Sequence, residues 1–264
     1  MKVIKIKPTS PGVRHTIKLN KSLLLKKNSF FKNLIQCSHK FVGRSSSTGR
    51  ITVRHKALGC KKQNRLVQFY NNNTTSVVLA IAYDPNRSSF ISLSFNLKTK
   101  KFFSSVASDY LFSGFIYSCR SNFIFLKSGY RTSLKTIPAG SIVNNVSLLE
   151  NSYAKYARSA GTSCQIIQKA KISSKIRLPS GKVINVSLNG FATLGLTSNP
   201  QKKLICIGKA GTNRLNGIRP TVRGVAMNPV DHPHGGRTNS GFRKMTPWGI
   251  LTKGIKTRKS KNIK

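Results

Sequence analysis

The chain carries 47 lysines and arginines against only four acidic residues, and this imbalance constrains its folding more than any other feature of the sequence. The formal net charge is +43 at pH 7 with histidine neutral. Because so few carboxylates cannot balance the positive surface, the free chain repels itself, and its compact state is predicted to depend on a polyanionic partner. The charge favours nucleic acid over an anionic membrane surface as that partner. Four carboxylates also leave few pairs for acid–base catalysis.

The basic side chains are concentrated at the two ends of the chain. Residues 1–65 hold 17 basic and no acidic residues, residues 66–200 hold 15 and three, and residues 201–264 hold 15 and one. Blocks of like charge seldom fold alone and commonly bind nucleic acid as tails. The sequence therefore predicts two basic ends that flank a more ordinary folded middle.

The middle of the chain has the pattern of an all-β structure. Val77–Tyr83 is a short apolar run with β-branched residues, and the turn-forming residues Asp84–Asn86 follow it. Ile91–Leu97 alternates apolar residues with serine and asparagine, which is the period of a half-buried strand. Ile176–Val186 predicts a hairpin around a Pro-Ser-Gly turn. Further strands are predicted at Phe115–Tyr117, Phe123–Leu126, Ile142–Leu149 and Gln165–Ile167. Many short strands indicate small barrels.

Helices are predicted to be few, because no stretch shows a sustained 3.6-residue period; one short helical turn is predicted near Tyr153–Arg158. No apolar run approaches the roughly 20 residues of a membrane-spanning helix. The five cysteines are widely spaced and form no Cys-x-x-Cys pair, so neither a zinc ribbon nor a disulfide framework is indicated, and a reducing compartment is favoured. The glycine-rich stretch 235–241 lacks the Lys-Ser or Lys-Thr of a nucleotide-binding loop.

Histidines 232 and 234 are candidates for a metal site and for catalytic groups. Two imidazoles fall short of the three or four ligands that a metal site needs, so no metal or cofactor is predicted, and any structural Mg²⁺ would be held mainly by RNA. His232 as a catalytic base needs a group that orients it. Asp231 is a poor candidate for that role because neighbours in an extended segment point to opposite faces. The pattern therefore favours RNA contact or a packed turn over catalysis.

The segment around Arg214, Arg219 and Arg223 is the strongest RNA-binding candidate of the chain. Its arginines alternate with glycine and proline, and planar guanidinium groups bind phosphates bidentately and stack on bases. Trp248 is predicted either to stack on a base or to pack against the protein. A DNA-packaging protein shares the charge, but the chain has no helix-turn-helix, basic-zipper or zinc-finger pattern.

Six stretches occur in one order along the chain: KPTSPG (7–12), GRITVRHK (49–56), YDPNRS (83–88), ARSAGT (157–162), RPTVRGVAMNPVDHPHGG (219–236) and TPWG (246–249). In this order they resemble the universal large-subunit ribosomal protein two, the L-two family, from residue 7 to about residue 258. The resemblance implies a mainly β fold, with an OB-type barrel followed by an SH3-like barrel and extended basic N- and C-terminal segments.

The resemblance also implies a function without enzymatic activity. Members of the family bind large-subunit ribosomal RNA near the peptidyl transferase centre and support subunit association and tRNA placement. The expected partners are that RNA, neighbouring ribosomal proteins and the small subunit through an intersubunit bridge. The family's much-discussed histidine matches His232, and family knowledge assigns peptide-bond formation to RNA.

Four segments and a set of RNA-binding residues are predicted on this basis. The segments are a basic extension (1–41), an OB-type RNA-binding domain (42–126), an SH3-like barrel (127–200) and an extended basic RNA-binding tail (201–264). The predicted RNA-binding residues are Arg44, Arg50, Arg54, His55, Lys56, Arg87, Arg158, Lys209, Arg214, Arg219, Arg223, Asn228, His232, His234, Arg237 and Trp248.

Departures from the family pattern predict where the protein works. Bacterial members carry a Gly-Glu-Gly insertion after the HPHGG motif, whereas Arg237–Gly241 reads RTNSG here. That difference and the Lys-, Asn- and Ile-rich composition resemble mitochondrial members. The KPTSPG motif begins at Lys7, which leaves no room for a presequence and predicts synthesis inside the organelle. A chloroplast or the bacterial cytoplasm is the alternative location.

Overall fold

The protein is described by a computed structural model, which covers residues 3–25, 29–36, 43–69, 74–120, 127–150, 152–236 and 244–254. The chain forms two compact units. The first unit comprises Met1–Lys40 and Cys60–Leu215, and the second comprises Phe41–Gly59 and Asn216–Lys264. The second unit is thus built from two stretches that are distant in the sequence. The four-segment division made from the sequence stays a prediction.

All strands that the structure describes belong to the first unit. They are β1 (Val3–Lys5), β2 (Ile17–Leu19), β3 (Ile35–Gln36), β4 (Asn64–Arg65), β5 (Thr74–Ala82), β6 (Ile91–Asn96), β7 (Phe102–Val106), β8 (Ile116–Arg120), β9 (Arg131–Ser133), β10 (Ile142–Asn144), β11 (Cys164–Lys169), β12 (Ser173–Arg177), β13 (Val183–Ser187) and β14 (Phe191–Leu194). The helical elements are α1 (Ala210–Leu215) and three 3₁₀ turns at Ser29–Leu34, Pro200–Leu204 and Gly224–Ala226.

Ten of these strands form one sheet with the order β13-β12-β11-β10-β14-β9-β8-β5-β6-β7. Strands β5 to β8 are neighbours at one end of this order, the first half of the sheet, and strands β9 to β14 are neighbours at the other end, the second half. All neighbours in the sheet are antiparallel except β8 and β9, which join the two halves in parallel. The prediction of a mainly β fold with barrel-type domains is confirmed.

Most strand predictions from the sequence are confirmed, with differences in extent. The hairpin β12–β13 closes through the Leu178 amide, which donates to the Lys182 carbonyl at 2.9 Å, as the Pro-Ser-Gly turn predicts. The strand predicted over Ile142–Leu149 ends at Asn144, because Asn145 adopts φ 50° and turns the chain. The predicted strand Phe123–Leu126 lies outside the described residues.

Strand β6 differs from the half-buried strand that its alternation predicts, because both of its faces are buried. On one face Ile91 and Leu93 pack with Ala82. On the other face the Ser92 hydroxyl lies 2.8 Å from the Ser105 hydroxyl, and the Tyr117 hydroxyl donates to Ser94 Oγ at 3.2 Å. Serines in this interior satisfy one another and a tyrosine, which removes most of the desolvation cost of burying them.

The N-terminal residues contribute to the apolar packing of the first unit. Leu24 is buried with Phe90 and Ala107, and Leu25 and Leu34 pack against the cluster that Ala82 forms with β6. Burying side chains of this size stabilises the fold by about 1.5–3 kcal/mol each. The packing of these leucines therefore holds the basic N-terminal end on the first unit, which its charge alone does not predict.

The second half of the sheet has the larger apolar core of the first unit. Its buried side chains come from β10 to β14 and from neighbouring loops, and they are Leu134, Ile137, Val143, Val146, Ala157, Cys164, Ile166, Ile176, Val186, Ala192 and Leu194. Burial raises the pKa of the Cys164 thiol to about 11, so this thiol stays protonated and unreactive at neutral pH. Cys60, Cys164 and Cys206 are free thiols.

Two helical features differ from the sequence predictions. The helical turn predicted near Tyr153–Arg158 is wrong: Tyr156 instead forms an antiparallel bridge with Val146. Its backbone is committed to that bridge, and Ala157 follows at φ 50°, which a helix does not allow. Helix α1 (Ala210–Leu215) was not predicted; at six residues it is too short to show a hydrophobic period.

Candidate nucleic-acid interface

A cluster of charged and aromatic side chains in the first unit places two predicted RNA-binding residues together. We call Arg65, Phe69, Asp84, Arg87 and Arg158 the Arg87 cluster. Asp84 is fully buried, and its Oδ2 accepts from Arg87 Nε at 3.0 Å, while Arg65 Nη1 lies 3.9 Å from Oδ1. The Arg87 and Arg158 guanidinium carbons lie 5.4 and 5.2 Å from the centre of the Phe69 ring. Two arginines share the Asp84 carboxylate and a third lies against the Phe69 ring, so the cluster keeps a net positive charge.

The turn after β5 holds the Arg87 cluster in place. Asp84 Oδ1 accepts from the Asn86 amide at 2.9 Å, the geometry of an Asx turn, and this fixes the carboxylate that Arg87 contacts. Ser88 Oγ accepts from the Ala160 amide at 3.0 Å, and the Ser88 carbonyl accepts from Asn199 Nδ2 at 2.7 Å. These bonds bring the YDPNRS and ARSAGT motifs together although they lie 72 residues apart.

Three lysines of the first unit show the effect of unbalanced positive charge. The pKa of Lys21 is lowered, first by partial burial and then by the neighbouring charges of Lys202 and Lys18. Lys21 Nζ also lies 3.8 Å from the centre of the Tyr83 ring. A phosphate placed here would meet several positive charges with little competition from carboxylates.

The second unit begins with a tight loop that displays Arg44 and Arg50. Arg44 Nη1 donates to the Gly49 carbonyl at 2.9 Å, and the Gly43 carbonyl accepts from the Thr52 and Val53 amides. A Cβ on Gly43 would lie 2.2 Å from the Val53 carbonyl oxygen, so only glycine fits. The loop therefore presents its arginines on a backbone fixed by its own hydrogen bonds.

Residues 54–57 pair with residues 217–220 of the same unit. The Ala57 amide donates to the Gly217 carbonyl at 2.8 Å, and the Arg219 amide donates to the His55 carbonyl at 3.0 Å. His55 Nδ1 lies 3.1 Å from the Pro220 carbonyl, so this nitrogen carries the proton. The pairing brings two predicted RNA-binding segments side by side.

The Trp248 side chain is 71% exposed. The Arg54 guanidinium carbon lies 5.1 Å from its ring centre, within the range of a cation–π contact. The indole is therefore not part of an apolar core. An exposed ring beside an arginine is a surface on which a base can stack.

His232 and His234 form the centre of a packed turn. His232 is 8 % exposed, and its Nδ1 accepts from the His234 amide at 3.0 Å. His234 Nε2 accepts from the Met245 amide at 2.9 Å, and the two rings lie 4.6 Å apart. Each ring thus uses one nitrogen to accept a backbone hydrogen bond.

This arrangement supports the structural interpretation of His232 over the catalytic one. One ring nitrogen is used by the backbone, the ring is buried, and the neighbouring Asp231 side chain is exposed. Within the described part of the chain, no group of three His, Cys, Asp or Glu side chains is placed to hold a metal ion. Nor do the described residues include a helix long and apolar enough to cross a membrane.

The predicted RNA-binding residues are mostly on the surface. Arg87 and His234 are half-buried, His232 is buried, and Arg237 lies outside the described residues. The exposed members of the set are Arg44, Arg50, Arg54, His55, Lys56, Arg158, Lys209, Arg214, Arg219, Arg223, Asn228 and Trp248. The structure brings Arg87 together with Arg158, Arg54 with Trp248, His55 with Arg219, and His232 with His234.

Sequence reasoning missed three members of the Arg87 cluster. Asp84 was recognised only as a turn residue, and Arg65 and Phe69 were not singled out. The scarcity of acidic residues was the available signal for Asp84. An aspartate that directly follows an apolar strand in so basic a chain is well placed to pair with a nearby arginine.

Comparison with known proteins agrees with these observations. The family model described as Ribosomal Proteins L2, RNA binding N-terminal domain, matches residues 31–114. The model described as Ribosomal Proteins L2, C-terminal domain, matches residues 127–249. The large ribosomal subunit proteins uL2 of Shewanella denitrificans and of Buchnera aphidicola subsp. Schizaphis graminum are each 41% identical over 266 residues, which covers 99% of this chain and 96% of each relative.

The two matched regions contain most strands of the large sheet, the Arg87 cluster and the histidine turn. The identity extends over nearly the whole length of both relatives. The chain therefore belongs to the ribosomal protein L2 (uL2) family.

Proposed function

We propose that the chain is a structural, non-enzymatic component of the large ribosomal subunit that binds large-subunit ribosomal RNA near the peptidyl transferase centre. From there it supports subunit association, through a bridge to the small subunit, and tRNA placement. Family membership and the excess of positive charge support this proposal. Neighbouring ribosomal proteins are its other partners, and RNA holds most of the Mg²⁺ at the interface.

The Arg87 cluster is the observation that carries the RNA-binding part of the proposal. The buried Asp84 carboxylate holds Arg87, which contacts the Phe69 ring. Arg158 contacts the same ring, and its side chain is exposed. A guanidinium already held in contact with a ring is partly ordered, so it loses less side-chain entropy when it binds a phosphate. The exposed pair Arg54 and Trp248 offers a similar surface in the second unit, where a base can stack.

Substitution of Arg158 tests the contact with phosphate. We expect Arg158→Ala to weaken binding of the full chain to large-subunit ribosomal RNA by about fivefold to tenfold, and Arg158→Lys to weaken it less. If about ten side chains neutralise phosphates, the wild-type affinity falls with salt at a log–log slope near −9, and loss of one contact changes that slope by about 1. Filter binding over a salt series measures both quantities.

The control for this experiment is Arg177→Ala, which removes an equally charged, exposed arginine that is not among the predicted RNA-binding residues. We expect Arg177→Ala to weaken RNA binding less than Arg158→Ala does. Equal losses for Arg158→Ala and Arg177→Ala would show that only overall charge matters and would contradict a specific role for Arg158.

Truncation tests incorporation into the ribosome. Residues 201–215 belong to the first unit, where Cys206 pairs with Ile17. Ending the chain after Leu215 therefore spares the first unit and removes residues 216–264. We expect the truncated chain to be lost from large subunits on sucrose gradients at high salt, while the full chain stays bound. Co-sedimentation of the truncated chain equal to that of the full chain contradicts the proposal, and so does a full chain that runs free at low salt.

We further propose that the ribosome in question is mitochondrial. The RTNSG stretch after the HPHGG motif and the Lys-, Asn- and Ile-rich composition support this location. Both relatives named above are bacterial proteins, so the bacterial cytoplasm is the principal alternative. Detecting the chain with an antibody in ribosomes purified from separated organelles and cytoplasm decides between them.

A further inference from the structure

A buried arginine in the first unit has no carboxylate to balance its charge. Arg131, the first residue of β9, is 8% exposed, and its Nε is buried without a hydrogen-bond partner among the described residues. The four acidic side chains of the sequence all lie within the described ranges, and both ion pairs found there use Asp84. An uncompensated charge inside a protein is strongly destabilising, so another group has to offset the charge of Arg131.

The sheet fixes Arg131 at the junction of its two halves. Arg131 pairs with Cys119 of β8 in parallel and with Thr193 of β14 antiparallel. Because β9 is held between two strands, carrying Arg131 to the surface would break the sheet. Burial lowers the pKa of the guanidinium, but arginine stays protonated in proteins. The positive charge is therefore held in the interior of the first unit.

The ionisable neighbours of Arg131 are a phenol and a thiol. Burial is the largest cause that raises the pKa of Tyr117, so its phenol is protonated at neutral pH, and its hydroxyl donates to Ser94 Oγ at 3.2 Å. A cysteine with the ordinary pKa of about 8.5 is also mostly protonated at neutral pH. A Cys119 thiolate is the alternative counter-charge within the protein, and substitution of Cys119 tests it.

A small cavity lies against the Arg131 side chain. Cross-strand partners point to the same face of a sheet, so the Thr193 hydroxyl lies beside Arg131, and both residues line the cavity. The Nε atom of Arg131 is buried without a partner, a state that Nη1 and Nη2 do not share, so the terminal nitrogens are the donors available to a ligand. The unpartnered Oδ1 of Asn145, a further lining residue, is buried within the wall. Hydroxyl groups also line the cavity, from Ser105, Ser108 and Tyr117.

The size of the cavity selects the ligand. Its volume is about 30 Å³, close to the volume that a water molecule occupies in the liquid. A monatomic anion fits this space, whereas a phosphate group, with four oxygens around its phosphorus, does not. The backbone of RNA is therefore excluded as the source of the negative charge. A water molecule accepts a hydrogen bond from the guanidinium but leaves its charge uncompensated.

We propose that the cavity binds one chloride ion, which accepts charge-assisted hydrogen bonds from the terminal nitrogens of Arg131 and neutralises the buried guanidinium. Thr193 supplies a hydroxyl donor from the neighbouring strand. Gln68, an exposed residue in the lining, marks the side from which the ion enters. The site stabilises the junction of the two halves of the sheet. It goes beyond RNA binding, so its failure leaves the proposed function intact.

Crystals of the full chain grown in sodium bromide test the proposal directly, because bromide replaces chloride and scatters X-rays anomalously. The expected result is an anomalous peak in the cavity, in contact with the Arg131 guanidinium. Water density without an anomalous peak at this position overturns the proposal. Anomalous peaks confined to surface lysines and arginines overturn it as well.

Thermal unfolding of the full chain provides an independent test. The unfolding temperature is compared in sodium chloride and in sodium gluconate at equal ionic strength, since gluconate is too large for the cavity. We expect the wild type to unfold about 2–5 °C higher in chloride. Arg131→Met keeps the length of the side chain without its charge and is expected to lose this difference. The matched control Arg177→Met removes an exposed arginine and is expected to keep it.

The outcomes of the two experiments separate the alternatives. Equal dependence on chloride in Arg131→Met and the wild type would show that the ion acts elsewhere, and this overturns the proposal. A wild type indifferent to chloride, together with a Cys119→Ser variant that is destabilised equally in both salts, identifies the thiolate as the counter-charge and overturns it too. If Arg131→Met does not fold, the bromide experiment on the wild type decides.

Discussion

Replacing Asp84 by Ala is expected to lower the free energy of unfolding of the first unit by about 3 kcal/mol. Asp84 is fully buried, and its removal strips the charged partner from Arg87 and Arg65 and the acceptor from the Asn86 amide. Breaking a buried pair by removing one partner costs about 3–5 kcal/mol. The lower value applies because the arginine side chains are 27% and 22% exposed and can turn toward water. Denaturant unfolding of the full chain measures the change.

Two further variants separate the causes of that loss. Asp84→Asn keeps an oxygen for the Asx turn but no charge, so we expect its free energy of unfolding to lie between those of the wild type and Asp84→Ala. Glu150→Gln removes an exposed carboxylate and is expected to change stability by no more than about 0.5 kcal/mol. If Asp84→Ala proves as stable as Glu150→Gln, the buried carboxylate does not hold the cluster together.

Replacing Gly224 by Ala is expected to disrupt the histidine turn of the second unit. A Cβ at this position would lie 2.8 Å from three atoms of the buried His232 ring. The ring cannot retreat without losing the hydrogen bond from the His234 amide. Overpacking of this kind costs about 1–3 kcal/mol. Thermal unfolding and hydrogen exchange of the backbone amides in residues 224–236 report the loss.

A double variant makes this prediction specific. In Gly224→Ala/His232→Ala the ring that clashes is absent, so the two substitutions together are expected to destabilise less than the sum of their separate effects. Gly211→Ala is the control: its Cβ meets nothing within 4 Å in helix α1, and the change is expected to stabilise by about 0.5–1 kcal/mol. Strict additivity in the double variant would falsify the clash as the mechanism.

The same variants bear on the catalytic alternative for His232. If the imidazole only supports the turn, His232→Ala subunits that assemble are expected to form peptide bonds at a normal rate. Loss of single-turnover chemistry in fully assembled subunits is the outcome that supports a catalytic role. Defective assembly agrees instead with the packing seen around Gly224.

Local patterns in the sequence were sufficient to predict several strands of the first unit. The run before Asp84 and the Pro-Ser-Gly turn each specify a strand or a hairpin, because periodicity and turn chemistry act within a few residues. The alternation in β6 was equally clear, but it predicted one solvated face. Burial of Ser92 and Ser94 depends on Tyr117 and Ser105, which reach β6 only through strand pairing.

The candidate site was harder to predict from the sequence than the fold, for the same reason. Arg87 and Arg158 were identified one by one from their motifs, but Phe69, which both contact, carries no local signal. The pairing of Lys56 with Ile218 joins two short extended segments without any hydrophobic period. The leucines that anchor the N-terminal residues are hidden among lysines. Contacts between distant segments decide each of these features.

The two-part composition of the second unit has a consequence for the time course of synthesis. Residues 43–59 leave the translating ribosome early, but their pairing partners at 217–220 follow only after residues 60–215 have been made. At about 5–20 residues per second, this delay is on the order of ten seconds. The first unit can complete its sheet during that interval, so it folds before the second unit. Until residues 217–220 have been made, the highly basic segment 43–59 has no pairing partner. RNA that reaches the chain in those seconds meets that segment before its protein partner does.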